Sequence, residues 1–247
     1  MDKPSFPEFL KSIEVESFWS ICQLSGNYNE IPKHFELYDY QKDLVNAYEN
    51  EDFIILKKFR QGGFTTLSVV YSLYLCYLGE KDESIFLAFN MDREACCVGN
   101  LIDRLMQGIP EGIMPNLVKQ TDHEKVFDNG CSILLLSSQS GSLRGRSFSR
   151  IFIDESAFHR DMDNFWKAIY PCISEGGKVV VQSTPSVHDG GSWFKKTYLD
   201  AMKLKNKFRI FHTSYKENPQ YTPEFIETLR SNLGDKGFKL EIEAEFI

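Results

Sequence analysis

The chain has 247 residues, of which 42% are hydrophobic and 26% charged, with a formal net charge of −7. This is an ordinary soluble composition, with length for one sizeable α/β core and a small appendage. The acidic balance excludes a protein that coats nucleic acid over its whole surface, yet it allows a local basic patch.

The N-terminus, MDKPSFPEFLKSIEVESF, carries acidic residues and no apolar stretch, so it does not read as a secretory signal. Residues 1–36 are mostly helical in pattern, with a breaker at Ser25-Gly26-Asn27. Residues 53–56 (FIIL) read as a buried strand followed by a glycine turn. Thr65–Leu78 then reads as a helix apolar nearly all round. Its apolar part, Leu67–Leu78, is the longest such run and is too short to cross a bilayer, so no membrane association is expected. Ser84–Phe89 is a second buried strand. Asp92–Met106 follows as a helix, with Ala95, Val98, Leu101, Ile102 and Leu105 on one face. Val126-Phe127, Asp128-Asn129-Gly130 and Ile133–Leu136 form a hairpin pattern. Residues 151–153 and 179–181 are two more buried strands, and 209–212 is a weaker one. Helices are expected near 161–170 and 192–204. Strands alternating with helices predict an α/β fold, a mainly parallel sheet covered on both faces. Ligands of such sheets sit at the carboxyl ends of strands. The six cysteines include no CxxC pair, and the histidines at 34, 123, 159, 188 and 212 show no metal-ligand spacing. The expectation is a reduced, cytosolic protein with neither a zinc site nor a disulfide frame.

The residues after the first strand read KKFRQGGFTT. A standard phosphate loop is G-x-x-x-x-G-K-[ST]. Here Gly63 and Thr65 fit, Phe64 occupies the lysine slot, and Lys58 stands at the first-glycine slot. An ammonium at the strand exit reaches the same oxygens from the other rim, because the loop wraps around them. Gly62 and Gly63 allow inward N–H groups, and the following helix points its positive end at the phosphates. By itself the stretch is a weak signal, and a solvated basic turn is the plainer reading. Residues 151–155 (IFIDE) end a buried strand in two carboxylates, Asp154 and Glu155. In nucleotide hydrolases such a pair holds Mg²⁺ and polarises the attacking water; a strand leaving for solvent is the plainer alternative. Together, in this order, the two stretches suit one nucleotide-binding domain. LYDYQKDLV supplies Gln41 for paired hydrogen bonds to adenine and Tyr38 or Tyr40 for stacking, or else is an ordinary helix start. VQSTP places Ser183 and Thr184 where a γ-phosphate sensor would stand, or a capping turn. SLRGRSF offers Arg144 as a charge-stabilising finger or a surface arginine.

With these motifs in view, the sequence resembles the N-terminal ATPase domain of the large terminase subunit of tailed bacteriophages. KKFRQGGFTT is similar to that family's deviant Walker A, LYDYQKDL to its adenine-contacting segment, LRGRSFSRIFIDESAF to its arginine-plus-Walker B block, and VQSTP to its coupling motif. Asn218-Pro219, YTPEFIETLR and EIEAEF resemble the lid and the approach to the linker. The resemblance implies a RecA-like P-loop NTPase of the ASCE class. Its core would span residues 37–212, its lid 213–247, and 1–36 would be a helical segment joining the lid. It implies ATP and Mg²⁺. Lys58 and Arg60 would bind phosphates; Gln61, Gly62, Gly63, Phe64, Thr65 and Thr66 would form the loop. Thr65 and Asp154 would hold Mg²⁺, Glu155 would activate water, Gln41 would read adenine, and Ser183 and Thr184 would couple hydrolysis to movement. Arg144 matches a finger acting in trans and Arg60 one acting in cis. The implied partners are double-stranded DNA, the portal protein and the small terminase subunit. The implied assembly is a homo-oligomeric ring on the capsid, monomeric in isolation, in the cytoplasm of the infected bacterium. One departure stands out: the chain stops where the linker to a nuclease domain would begin. It therefore reads as an excised or fragmentary ATPase domain, without nuclease activity. A superfamily 2 helicase-like ATPase and a non-hydrolysing nucleotide switch are the competing readings.

Overall fold

A computed structural model describes residues 5–11, 37–79, 83–139, 143, 145–187 and 189–247. The strands are β1 (Phe53–Lys57), β2 (Ser84–Phe89), β3 (Leu117–Gln120), β4 (Glu124–Phe127), β5 (Ser132–Ser137), β6 (Phe148–Ile153), β7 (Ile173–Ser183) and β8 (Arg209–His212). They form one sheet in the order β3-β4-β5-β2-β6-β7-β1-β8. Every pairing from β5 to β8 is parallel, and β4 and β3 extend one edge as an antiparallel hairpin.

The helices are α1 (Phe6–Lys11), α2 (Asp39–Asn50), α3 (Phe64–Leu78), α4 (Asp92–Gln107), α5 (Met162–Ile169), α6 (Asp189–Met202) and α7 (Pro223–Glu241). Successive strand residues feed opposite faces of the sheet. Ile54, Leu56, Ile85, Leu87, Phe152 and Val180 join α2, α3 and α4 in one core. Ile55, Phe86, Ala88, Ile151, Ile153, Val179 and Val181 join α5 and α6 in the other. Both faces being covered explains why these strands read as unbroken apolar runs.

Register positions the site. β1 and β7 end level, with Lys57 opposite Ser183, whereas β6 ends two residues earlier, with Ile153 opposite Val181. Lys58, Asp154 and Thr184 are the first residues beyond those ends.

Two elements lie outside the sequence reading. Strand β3 has only Leu117 partly buried, with Val118–Gln120 exposed, so an edge strand without an apolar run gave no periodic signal. Helix α7 buries only Phe238 and is broken at Gly234, which leaves helical geometry (φ 65°, ψ 169°). The expected helical character of 1–36 is seen in α1, whose Phe6 and Phe9 pack on Tyr71, Tyr74 and Tyr77 of α3. Residues 12–36, including the Ser25-Gly26-Asn27 breaker, lie outside the described residues.

Candidate active site

The loop after β1 is held from beneath by aromatic rings. Phe64 is buried and contacts Phe59 and Tyr40 at ring-centre distances of 5.4 and 5.6 Å. Phe59 in turn meets Tyr221, beyond β8, at 5.5 Å. The carbonyl of Gly62 accepts hydrogen bonds from Tyr40 Oη (3.0 Å) and Gln41 Nε2 (3.1 Å). A Cβ on Gly62 would lie 2.2 Å from Phe64 Cε2, so the ring packs where a side chain would otherwise stand. Gln61 (φ 59°) and Gly63 (φ 75°) are both left-handed. Such turns direct backbone N–H groups to one side, as anion nests do. The first helical bond of α3 runs from Leu67 N to Gly63 O (2.9 Å). The N–H groups of Phe64, Thr65 and Thr66 therefore precede the helical ladder and project from its positive end.

The acidic turn after β6 faces this loop. Thr65 Oγ1 donates to Asp154 Oδ2 at 2.5 Å, and Gln182 Nε2 donates to Asp154 Oδ1 at 2.9 Å. Lys58 is buried, and its Nζ lies 2.5 Å from Glu155 Oε1 and 3.9 Å from Asp154 Oδ1. Burial works against its charge, but the carboxylates of Glu155 and Asp154 outweigh it and raise the Lys58 pKa, so the amine stays protonated. Glu155 adopts left-handed backbone (φ 48°, ψ 44°), an uncommon state for a non-glycine residue that such sites favour. Its other oxygen accepts from Ser183 Oγ (3.3 Å) and Thr184 N (3.4 Å). Ser183 Oγ also accepts from Ala157 N (3.1 Å), and Ser183 O from Lys58 N (3.1 Å). Strand β7 thus bridges the loop and the acidic turn.

The structure gathers Lys58, Thr65, Asp154, Glu155, Ser183 and Thr184 into one cluster. Three other residues stand differently. Gln41 is buried, with Nε2 on Gly62 and Oε1 accepting from Tyr38 N (3.1 Å). Arg60 turns outward and pairs with Glu241 Oε2 at 3.0 Å. The Phe64 side chain belongs to the core, so only its backbone faces the loop's interior. Arg144 lies outside the described residues.

Two contributors were missed by sequence reasoning. His159 is buried, and Asp154 O lies 2.8 Å from its Nε2, so it braces the acidic turn. Burial lowers its pKa to about 4. Nε2 therefore carries the proton of the neutral ring and donates the hydrogen bond to the carbonyl. Arg93, on the first turn of α4, lines a cleft of about 440 Å³ together with Thr65, Phe89, Cys97, Asp154 and Glu155. Applying the strand-end rule to β2 as well as β1 and β6 would have pointed to Arg93.

The donor set is chemically selective. A hydroxyl and a carboxylate in contact suit a hard cation such as Mg²⁺. Open N–H groups with a buried ammonium suit a polyphosphate. The residues present therefore fit a Mg²⁺–nucleotide.

Comparison with known proteins gives the same direction. Residues 106–247 match the family described as "Terminase large subunit, T4likevirus-type, N-terminal". The terminase large subunit of Escherichia phage T5 is 32% identical over 147 residues, covering 55% of this chain and 32% of that protein. The large terminase ATPase domain of Thermus phage P74-26 superposes with a TM-score of 0.62 at 14% identity, over 95% of this chain and 99% of that one. The large terminase of another thermophilic bacteriophage, solved in complex with ADP, gives 0.64 at 16% identity, over 86% and 54%. The chain thus spans about a third of the T5 protein and about half of the ADP-bound terminase. At these identities the superpositions establish the fold alone, a mainly parallel sheet flanked by helices.

Proposed function

The chain belongs to the terminase large subunit family, T4-like-virus type, in its N-terminal part, and from that premise we propose that it hydrolyses ATP to drive double-stranded DNA into a procapsid. The observation that carries the reading is the buried Lys58 ammonium, held 2.5 Å from Glu155 at the mouth of an anion-ready loop. It supports a phosphate loop whose lysine has moved to the strand exit. In this assignment Lys58 meets the terminal phosphate. The backbone of Gln61, Gly62, Gly63 and Phe64, with Thr65 and Thr66, cradles the others, and Arg60 adds a second cation after leaving Glu241. Thr65 and Asp154 would hold Mg²⁺, which when bound neutralises phosphate oxygens. Glu155 accepts the proton of the attacking water once the phosphate has drawn Lys58 from it. Ser183 and Thr184, bonded to Glu155, transmit the loss of the terminal phosphate along β7.

Gln41 retains capacity for adenine. One amide hydrogen and one carbonyl lone pair remain after its two bonds, the complement of an adenine edge. Arg144 or Arg60 would supply the finger, in trans or in cis. The portal protein, the small subunit and a ring of identical chains on the capsid belong to the same reading, as does the division into a core of 37–212 and a lid of 213–247. One of the superposed phage terminases was solved with ADP, in keeping with a nucleotide in this cleft.

Phosphate release from Mg-ATP tests the assignment. Lys58→Ala and Glu155→Gln should each lower turnover at least about 100-fold, the scale of losing one charge-stabilising group. Only Lys58→Ala should also weaken ATP binding strongly. Undiminished turnover in Lys58→Ala would remove Lys58 from the phosphate-binding role and overturn the relocated-lysine assignment.

A further inference from the structure

At the start of α4, beside the nucleotide cleft but not among the residues that line it, three metal-binding side chains of different chemistry converge. His123 Nε2 lies 2.9 Å from Asp92 Oδ1 and 3.6 Å from Cys96 Sγ, and Cys96 Sγ lies 4.0 Å from Asp92 Oδ2. We propose that Asp92, Cys96 and His123 bind one divalent transition-metal ion of the zinc class, with a further position open to water. This inference is independent of the ATPase reading.

The spacing suits the ion. Metal–ligand bonds of about 2.0 Å to nitrogen or oxygen and 2.3 Å to sulfur, at tetrahedral angles, set donor atoms roughly 3.3–3.5 Å apart. The three nearest separations, which draw on both Asp92 oxygens, bracket that range, and one donor atom from each residue lies within 4.8 Å of the others. Asp92 and Cys96 stand four residues apart on successive turns at the start of α4, so their side chains share a face. A carboxylate, an imidazole and a thiolate form a mixed donor set that favours zinc-like ions over Mg²⁺ or Ca²⁺. Carboxylate and thiolate charges together neutralise a dication.

Two elements deliver the donors, and their docking does not depend on them. His123 sits in the β3–β4 turn. That turn approaches α4 so closely that a Cβ on Gly99 would lie 2.1 Å from the carbonyl oxygen of Asp122. Thr121 Oγ1 accepts from His123 N (3.3 Å) and Glu124 N (3.0 Å), which shapes the turn. Two residues beyond His123, Lys125 is buried and its Nζ meets Asp103 of α4 at 2.5 Å. The imidazole is therefore brought over Cys96 by contacts that exist without an ion, the preorganisation a specific site needs. Cys97, the neighbouring thiol, lines the nucleotide cleft instead and supplies an internal control.

The test is titration of Co²⁺ into the reduced chain without nucleotide, following the thiolate-to-cobalt absorption band, then displacement by Zn²⁺. One equivalent should bind and give the band. Cys96→Ser should abolish it. His123→Ala and Asp92→Asn should weaken binding by at least the roughly 10–100-fold that loss of even an outer-shell partner costs. Cys97→Ser should leave both band and affinity unchanged. Circular dichroism of each variant confirms folding, and Cys96→Ala serves as the second thiol variant. Absence of the band, its loss in Cys97→Ser alone, or unchanged cobalt affinity in Cys96→Ser would overturn the proposal and leave an Asp92–His123 ion pair.

Discussion

Phe64 stands where a phosphate loop ordinarily carries lysine, and its ring fills a pocket of Phe59, Tyr40 and the space over Gly62. Restoring the ordinary residue therefore does not restore an ordinary site. Phe64→Lys would bury a second ammonium near Lys58, whose Nζ lies 5.9 Å from the ring centre. We expect a loss on the order of 3–5 kcal/mol, read from urea unfolding midpoints, with no gain in turnover. His159 makes a second prediction at this scale. Its pKa is lowered from 6.5 to about 4, chiefly by burial, against the opposing pull of the Asp154 carbonyl and the Glu155 charge. The unfolded chain thus binds the proton more readily, and acid favours unfolding. The full contribution is present above pH 6.5 and is lost as pH falls toward 4, by roughly 3 kcal/mol. In the metal-free chain, the imidazole signal followed by NMR should stay neutral at pH 5.5, and His159→Gln should flatten that part of the stability profile. A midpoint near 6.5 would contradict the burial argument.

Among the elements, α4 and the β3–β4 hairpin depend on one missing side chain. Gly99→Ala drives a Cβ into the backbone of Asp122, which has no rotamer with which to yield. We expect about 1–3 kcal/mol of destabilisation, measured as a fall in thermal midpoint, with the turn displaced from α4. What the sequence disclosed follows the same division between local and distant causes. β1, β2, β6 and β7 were legible because each is buried on both faces, and composition alone carries that information. The clustering of Lys58, Thr65, Asp154 and Glu155 was legible because strand ends, and the helix starts that follow them, are where such sheets place polar groups. The side-chain direction of Phe64 was not, since spacing marks a slot and packing decides where the ring goes. The meeting of Asp92, Cys96 and His123 was hidden too. The histidine lies 27 residues from the cysteine and arrives through an edge hairpin whose β3 has no periodic pattern. For that reason the absence of histidine spacing did not exclude a metal cluster. Helix α7, with few buried residues and glycines at 234 and 237, likewise left little trace.

At the scale of the molecule, a net charge of −7 restrains any contact with DNA to a local surface. Binding through phosphates releases counterions. The apparent affinity for duplex DNA should therefore fall linearly on a log–log plot against salt, with a slope of about −0.9 per phosphate contacted and little preference for sequence. DNA-stimulated ATP turnover measured across a salt series checks this, and a flat response would argue against phosphate-directed binding. Tyr221, from the region beyond β8, donates to Arg60 O at 2.5 Å, and Arg60 N donates to Glu241 O at 2.8 Å. The loop after β1 is therefore tied to the end of α7 as well as to its own strand. Its rings beneath and these ties above maintain the cradle's shape by the same forces that keep the interior dry. If a triphosphate binds as proposed, it meets a mould already set, and the entropy of shaping the loop has been met during folding rather than at each turnover.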